Sequence, residues 1–143
     1  MRFKEFKAGQ VLRSGPTRVS EADIVGFARL YDPQWFHTDP QRAQFSRWPK
    51  PCRERLAHVR DRDVLACEGP LRDSDSIGSP GVDYLKWAAP VKPGDELRLE
   101  AEVIDALPSK NGHLGVLLWR WKLYKQKDVT VLELQVTSLF DLA

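Results

Sequence analysis

An aspartate and a histidine lie five residues apart in the segment YDPQWFHTDP, residues 31–40. Pro33 directly follows Asp32, and a loop that contains proline can turn the side chains of Asp32 and His37 toward one point. A carboxylate and an imidazole that titrates near neutral pH are a natural pair for holding and activating a water molecule. In the structural alternative, Asp32 caps a turn and His37 is a surface loop residue. Residue types by themselves favour that alternative.

Two helix signals flank this segment. Ser20 is a good N-cap, and Asp23 is the acidic partner that a capping box needs three residues later. The apolar residues that follow have helical spacing, and the helix should end at Tyr31 and Asp32 because Pro33 disfavours helical geometry in the residue before it. A second, short helix is predicted from an N-cap at Asp39, with proline at its first position, through residue 44.

The C-terminal half of the chain is predicted to be β-structure. Apolar and polar residues alternate over 97–103, and apolar runs follow over 114–124 and 129–140, with turn residues at 109–112 and 126–128. Three long strands joined by tight turns form an antiparallel meander. A fourth strand is predicted over 82–91. A sheet with one main helix packed against it, an α+β architecture, is the simplest arrangement of these elements.

Composition restricts the class of protein. The chain has 143 residues, which predicts one domain over 1–143, and its 22 basic and 20 acidic residues give a net charge of only +2. Neither a membrane helix nor an apolar leader is apparent, so a cytoplasmic protein is expected. Cys52 and Cys67 are too few for a disulfide scaffold and lack metal-ligand spacing, so we predict neither a metal site nor a cofactor.

Three other sequence features that could indicate binding or catalysis are better explained by the fold or give only weak signals. Arg120 and Lys122 alternate with two tryptophans, and a sheet with one buried face explains this alternation better than base stacking, so no nucleic-acid partner is expected. His113 follows a turn and is expected to be solvated. The Gly/Ser/Pro-rich stretch 76–81 could approach a phosphate or pantetheine arm, but it lacks the lysine pattern of a phosphate loop.

The segment 31–40, together with Phe27 and Ala28 before it, resembles the hydratase motif of the MaoC-like, (R)-specific enoyl-CoA hydratases. In that family the motif is similar to Asp-x-Asn-Pro-x-x-His, and Asp-Pro-Gln-x-Phe-His is a frequent variant. Residues 17–27 (TRVSEADIVGF) and 74–95 resemble further parts of the family pattern. The resemblance covers about residues 8–44 and 67–143.

This resemblance implies a hot-dog fold, in which an antiparallel sheet wraps around a central helix. It implies a homodimer or higher homo-oligomer whose sheets join edge to edge, and an acyl-CoA thioester as substrate. Asp32 and His37 would be catalytic, holding one water and adding it syn across the 2,3-double bond of an enoyl thioester. A backbone N–H at the start of the central helix would meet the thioester oxygen. No residue is assigned to substrate binding.

Two alternatives remain open beside this hydratase/dehydratase. One is a non-catalytic hot-dog protein that binds acyl thioesters or pairs with an active partner subunit. The other is a hot-dog thioesterase, which would use a carboxylate without this Asp–His spacing.

Residues 45–66 depart from the family pattern. They carry six basic and three acidic residues, no glycine, and two early prolines, Pro49 and Pro51, whereas the family's central helix is apolar and begins with small residues. If each codon of residues 53–63 begins one base later, suitable synonymous codons give Ala-Ser-Gly-Trp-His-(Met or Thr)-Cys-Ala-Ile-Ala-Met, which matches the family's helix motif. We therefore hypothesise that residues 45–66 are translated out of frame. The alternative is a genuine, divergent segment.

Overall fold

The chain folds into a five-stranded antiparallel sheet with one long helix against it. The computed structural model describes residues 1–47 and 55–142, without the side chains of residues 55 and 56. The strands are β1 (Val11–Arg18), β2 (Ser76–Trp87), β3 (Glu96–Pro108), β4 (Leu114–Lys125) and β5 (Val129–Asp141), in the sheet order β1-β3-β4-β5-β2. The helices are α1 (Glu21–Tyr31), α2 (Trp35–Thr38), α3 (Pro40–Ala43) and α4 (Arg55–Glu68).

The predicted meander is confirmed. Strands β3, β4 and β5 are consecutive neighbours, and Trp121 pairs with Ala101 on one side and Leu134 on the other. Alternate residues of β4 are buried, which leaves Arg120 and Lys122 on the other face. The indole rings of Trp119 and Trp121 are almost wholly buried, so they are not accessible for stacking on nucleic-acid bases.

The fourth strand differs from its predicted bounds. Strand β2 begins at Ser76 and ends at Trp87, whereas 82–91 was predicted. Residues 76–81 are thus the first half of a strand, and their register against β5 shifts near Gly78 and Gly81. Pro80 is tolerated there because β2 is an edge strand of the sheet, where the missing backbone donor breaks no ladder.

Helix α4 lies against the sheet at the place of the central helix. Leu65 and Ala66 belong to the core, and this helix contacts strands β1, β3 and β5. The predicted α+β hot-dog architecture, an antiparallel sheet around a central helix, is therefore confirmed. Residues 48–54, which directly precede α4 and include the prolines at 49 and 51 and the cysteine at 52, lie outside the described residues.

Candidate active site

The loop between α1 and α3 forms because three local signals act in sequence. Ser20 Oγ accepts a hydrogen bond from the N–H of Asp23 and begins α1, and α1 ends at Tyr31, before Pro33. Asp39 Oδ1 accepts from the N–H groups of Gln41 and Arg42 and begins α3. The two helices predicted here are confirmed, and the single turn α2 lies between them.

The structure brings Asp32 and His37 together. Asp32 is the C-cap of α1, and His37 lies in α2. Their facing atoms, Asp32 Oδ2 and His37 Nε2, are 3.6 Å apart. This is too long for a direct hydrogen bond, but a single water oxygen to one side of the line that joins the two atoms can lie about 2.8 Å from both.

The two side chains differ in their exposure. The His37 side chain is 11% exposed and that of Asp32 is 29% exposed. The imidazole packs against Phe36, with the ring centroids 4.4 Å apart. The imidazole of His37 therefore packs against protein, whereas solvent or a ligand can reach the carboxylate of Asp32.

Gln34 is a member of this cluster that the sequence analysis did not identify. Its Nε2 donates to both oxygens of Asp32, at 2.9 Å and 3.1 Å. The signal was present, because an amide two residues after a carboxylate in a turn can reach back to it. Sequence alone does not show whether such an amide points to the carboxylate or to solvent.

The other two histidines lie on other parts of the chain, His58 in α4 and His113 between β3 and β4. His113 is exposed, as expected. His58 is buried in α4, with 1% of its surface exposed. Cys67 is exposed and forms no disulfide. Among residues 1–47 and 55–142, no three His, Cys, Asp or Glu side chains cluster closely enough to hold a metal ion.

A separate groove of about 380 Å³ lies between β1, β3 and the β4–β5 turn. Three of its cations have partners within the protein: Arg13 pairs with Glu100, Arg98 pairs with Asp128 and Glu100, and Lys125 donates to the carbonyl of Pro90. We assign this groove no role.

The chain is similar to a curated relative over almost its whole length. It is 32% identical over 139 residues to the uncharacterized protein YdeM of Bacillus subtilis (strain 168). The alignment covers 97% of this chain and 98% of the relative. No family model matches the sequence.

Solved structures identify the wider family. A MaoC-like dehydratase from Rhodospirillum rubrum superimposes with a TM-score of 0.86 at 26% identity, covering 96% of this chain and 94% of that one. The chain belongs to the MaoC-like hot-dog family. The (R)-hydratase PhaJ1 from Pseudomonas aeruginosa shares the fold of this MaoC-like protein, with a TM-score of 0.77 at 20% identity over 97% of this chain and 84% of that one.

The solved structures with this fold include dehydratases and (R)-hydratases, which supports hydratase or dehydratase chemistry for the family as a whole. In the part of the chain that the structure describes, no helix is long and apolar enough to cross a membrane.

Proposed function

We propose that this MaoC-like protein, as one hot-dog domain over residues 1–143, hydrates enoyl thioesters and dehydrates the corresponding hydroxyacyl thioesters. The observation that carries the proposal is the 3.6 Å separation of Asp32 Oδ2 and His37 Nε2. Two polar atoms at this spacing can share a single water molecule, which the reaction consumes. We propose an acyl-CoA as the thioester, without a further cofactor.

The reaction follows from the chemistry of this pair. The water oxygen forms a bond to C3 of the enoyl thioester while one of the two side chains accepts its proton. The electrons of the 2,3-double bond move toward the thioester oxygen, and the other side chain helps to deliver a proton to C2. Hydrogen and hydroxyl are thereby added to the same face, and the reverse sequence eliminates water.

The negative charge that develops on the thioester oxygen needs a donor. We place it at a backbone N–H near the start of α4, because unpaired amides and the helix dipole favour an anion there. The residues just before Arg55 lie outside the described part of the chain. This element of the proposal rests on the family resemblance.

The test is hydration of crotonyl-CoA, followed at the absorbance of the enoyl thioester. Asp32→Asn and His37→Ala should each lower kcat by about 100-fold or more, because a positioned acid or base contributes at least that factor. Asp39→Asn is a matched control, because asparagine also caps a helix, and His113→Ala replaces an exposed histidine. Hydration that persists unchanged in both site variants would exclude the proposed site. Thiol release without loss of the double bond would favour a thioesterase.

The edge strand β2 supports a homodimer. Its outer edge has no neighbouring strand in the described sheet, and Ile77, Val82 and Trp87 are 59%, 47% and 38% exposed. A long apolar edge is a template for pairing with another strand. We propose that β2 pairs with β2 of a second copy.

Light scattering after gel filtration tests this assembly. The protein should have twice the 16.4 kDa mass of one chain. Val82→Lys should shift it to the monomer, because a charged edge residue opposes strand pairing. Val129→Lys, at an exposed position of β5, is the control. A monomeric starting protein would contradict the proposal.

A second candidate function is that of a non-catalytic partner subunit. Two structures with the same fold are complexes of hot-dog subunits from Mycobacterium tuberculosis, ChsH1–ChsH2 and the (3R)-hydroxyacyl-ACP dehydratase HadBC. Retained acyl-CoA binding without hydration by the purified chain would favour this alternative.

A further inference from the structure

The side chain of Gln34 contacts the carboxylate of Asp32 rather than the helix it precedes. Gln34 is the N-cap residue of α2, but its side chain accepts no capping hydrogen bond. Its Nε2 instead donates to Asp32 Oδ1 at 2.9 Å and Oδ2 at 3.1 Å. The amide thus holds both oxygens of the carboxylate, including the one that faces His37.

The backbone of Gln34 joins the same two residues. Its N–H donates to the carbonyl of Asp32 at 2.8 Å, and its carbonyl accepts from the N–H of His37 at 2.9 Å. Thr38 Oγ1 also donates to this carbonyl, at 3.1 Å. Gln34 therefore connects the end of α1, through hydrogen bonds, to the turn that contains His37.

A carboxylate needs such a partner here. The terminal torsion of an aspartate side chain has a broad, weakly restricted energy profile. With 29% of the Asp32 side chain exposed, solvent competes for its oxygens. A donor that contacts both oxygens restricts their rotation and leaves the outer lone pairs of Oδ2 available beside His37 Nε2.

We propose that Gln34 is a positioning residue of the hydration reaction, which sets the orientation of the Asp32 carboxylate relative to His37. This inference rests on the proposed function, because it assigns Asp32 the role of contacting the reacting water. Gln34 itself contacts neither water nor substrate in this role.

The first experiment compares Gln34→Met, which preserves the length of the side chain and removes the donor, with Gln41→Met at an exposed position of α3. Gln34→Met should lower kcat for crotonyl-CoA roughly tenfold, because a misoriented catalytic group loses rate rather than affinity. KM should stay within about twofold of the starting value, because the amide does not bind substrate. Gln41→Met should change neither constant. An unchanged kcat in Gln34→Met would overturn the inference.

A double variant separates positioning from a general structural role. Gln34→Met added to Asp32→Asn should cause no further loss of kcat, because the carboxylate that the amide orients is already absent. A further tenfold loss in that background would show that Gln34 acts by another route, and the inference would be wrong.

A crystallographic comparison keeps the inference testable whether or not the chain hydrates crotonyl-CoA. The Asp32 carboxylate should rotate away from His37 in Gln34→Met. An unchanged carboxylate, with Oδ2 still 3.6 Å from Nε2, would refute positioning by Gln34. No hydration by the starting protein, together with a rotated carboxylate in the variant, would instead refute the proposed function alone.

Discussion

Helices α1 and α4 both contribute side chains to the core, but they bury different kinds of residue. Helix α1 buries Ile24 and Ala28, and its charged residues are exposed. Helix α4 buries His58 and Asp61 in addition to Leu65. Asp61 accepts a hydrogen bond from Arg60 Nη2 at 3.0 Å, so α4 buries a paired charge where α1 buries aliphatic side chains.

Arg62 is a further charged side chain of α4 that is largely buried. Its side chain is 13% exposed and pairs with Asp63 at 2.9 Å, while its guanidinium lies 5.4 Å from the ring centroid of Trp121. Burial lowers the pKa of Arg62, although the charge of Asp63 opposes this change. Thus α4 occupies the centre of the fold through the topology of the chain, with a sequence that is poorly amphipathic.

The burial of α4 adds a structural argument to the reading-frame hypothesis. Positions 58 and 61 are 1% and 6% exposed. The shifted frame places Met or Thr at position 58 and Ile at position 61, where the chain has His and Asp. It also replaces Arg62 by Ala, although it places His at the buried position 57. We propose that residues 45–66 come from a shifted reading frame.

The largest effect is expected from restoring the family sequence in 53–63. The shifted-frame residues should raise the free energy of unfolding by about 4 kcal/mol, because replacing buried charges by apolar residues gains about 1–4 kcal/mol per buried pair or cluster. Urea unfolding measures this difference. Hydration of crotonyl-CoA should increase in parallel, because the substitution brings the glycine of the family motif into the helix.

The nucleotide sequence of the gene over codons 40–70 provides the control for this prediction. A shifted frame without the helix motif would remove the hypothesis. A restored chain that is less stable than the present one would show that α4 is adapted to its charged sequence, and the contrast with α1 would disappear.

Leu65→Ala should have the next largest effect. Leu65 is 1% exposed in the core, and truncation of a buried leucine here should cost about 3 kcal/mol through lost burial and the cavity that remains. Val64→Ala, at a position that is 45% exposed, is the matched control on the same helix. Equal unfolding free energies for the two variants would contradict the packing of α4 against the sheet.

The smallest effect is expected at the start of α1. Ser20→Ala should cost about 1 kcal/mol, because the hydroxyl that accepts from the N–H of Asp23 is lost. Ser20→Asp should retain most of the stability, since aspartate also caps helices. Thermal unfolding measures both variants, and a loss in Ser20→Asp equal to that in Ser20→Ala would mean that the cap does not stabilise α1.

The sequence predicted the elements that local signals define and misplaced the one strand that depends on a distant partner. The bounds of α1 and α3 follow from caps and prolines, which act within a few residues, and the meander follows from alternation and turns. Strand β2 was misplaced because its glycines and Pro80 are typical of loops. Pairing with β5 on one side makes a strand of that stretch, and this partner is distant in sequence.

For the candidate site, the sequence by itself determined which residues are available: a carboxylate and an imidazole on either side of a short turn. Capping and proline geometry, both local effects, are sufficient to bend the chain between Asp32 and His37. The structure was needed for the 3.6 Å separation and for the direction of the Gln34 amide, because residue types leave these side-chain torsions open. Tertiary structure alone decided the burial of polar side chains in α4, which depends on packing between distant segments that no local pattern encodes.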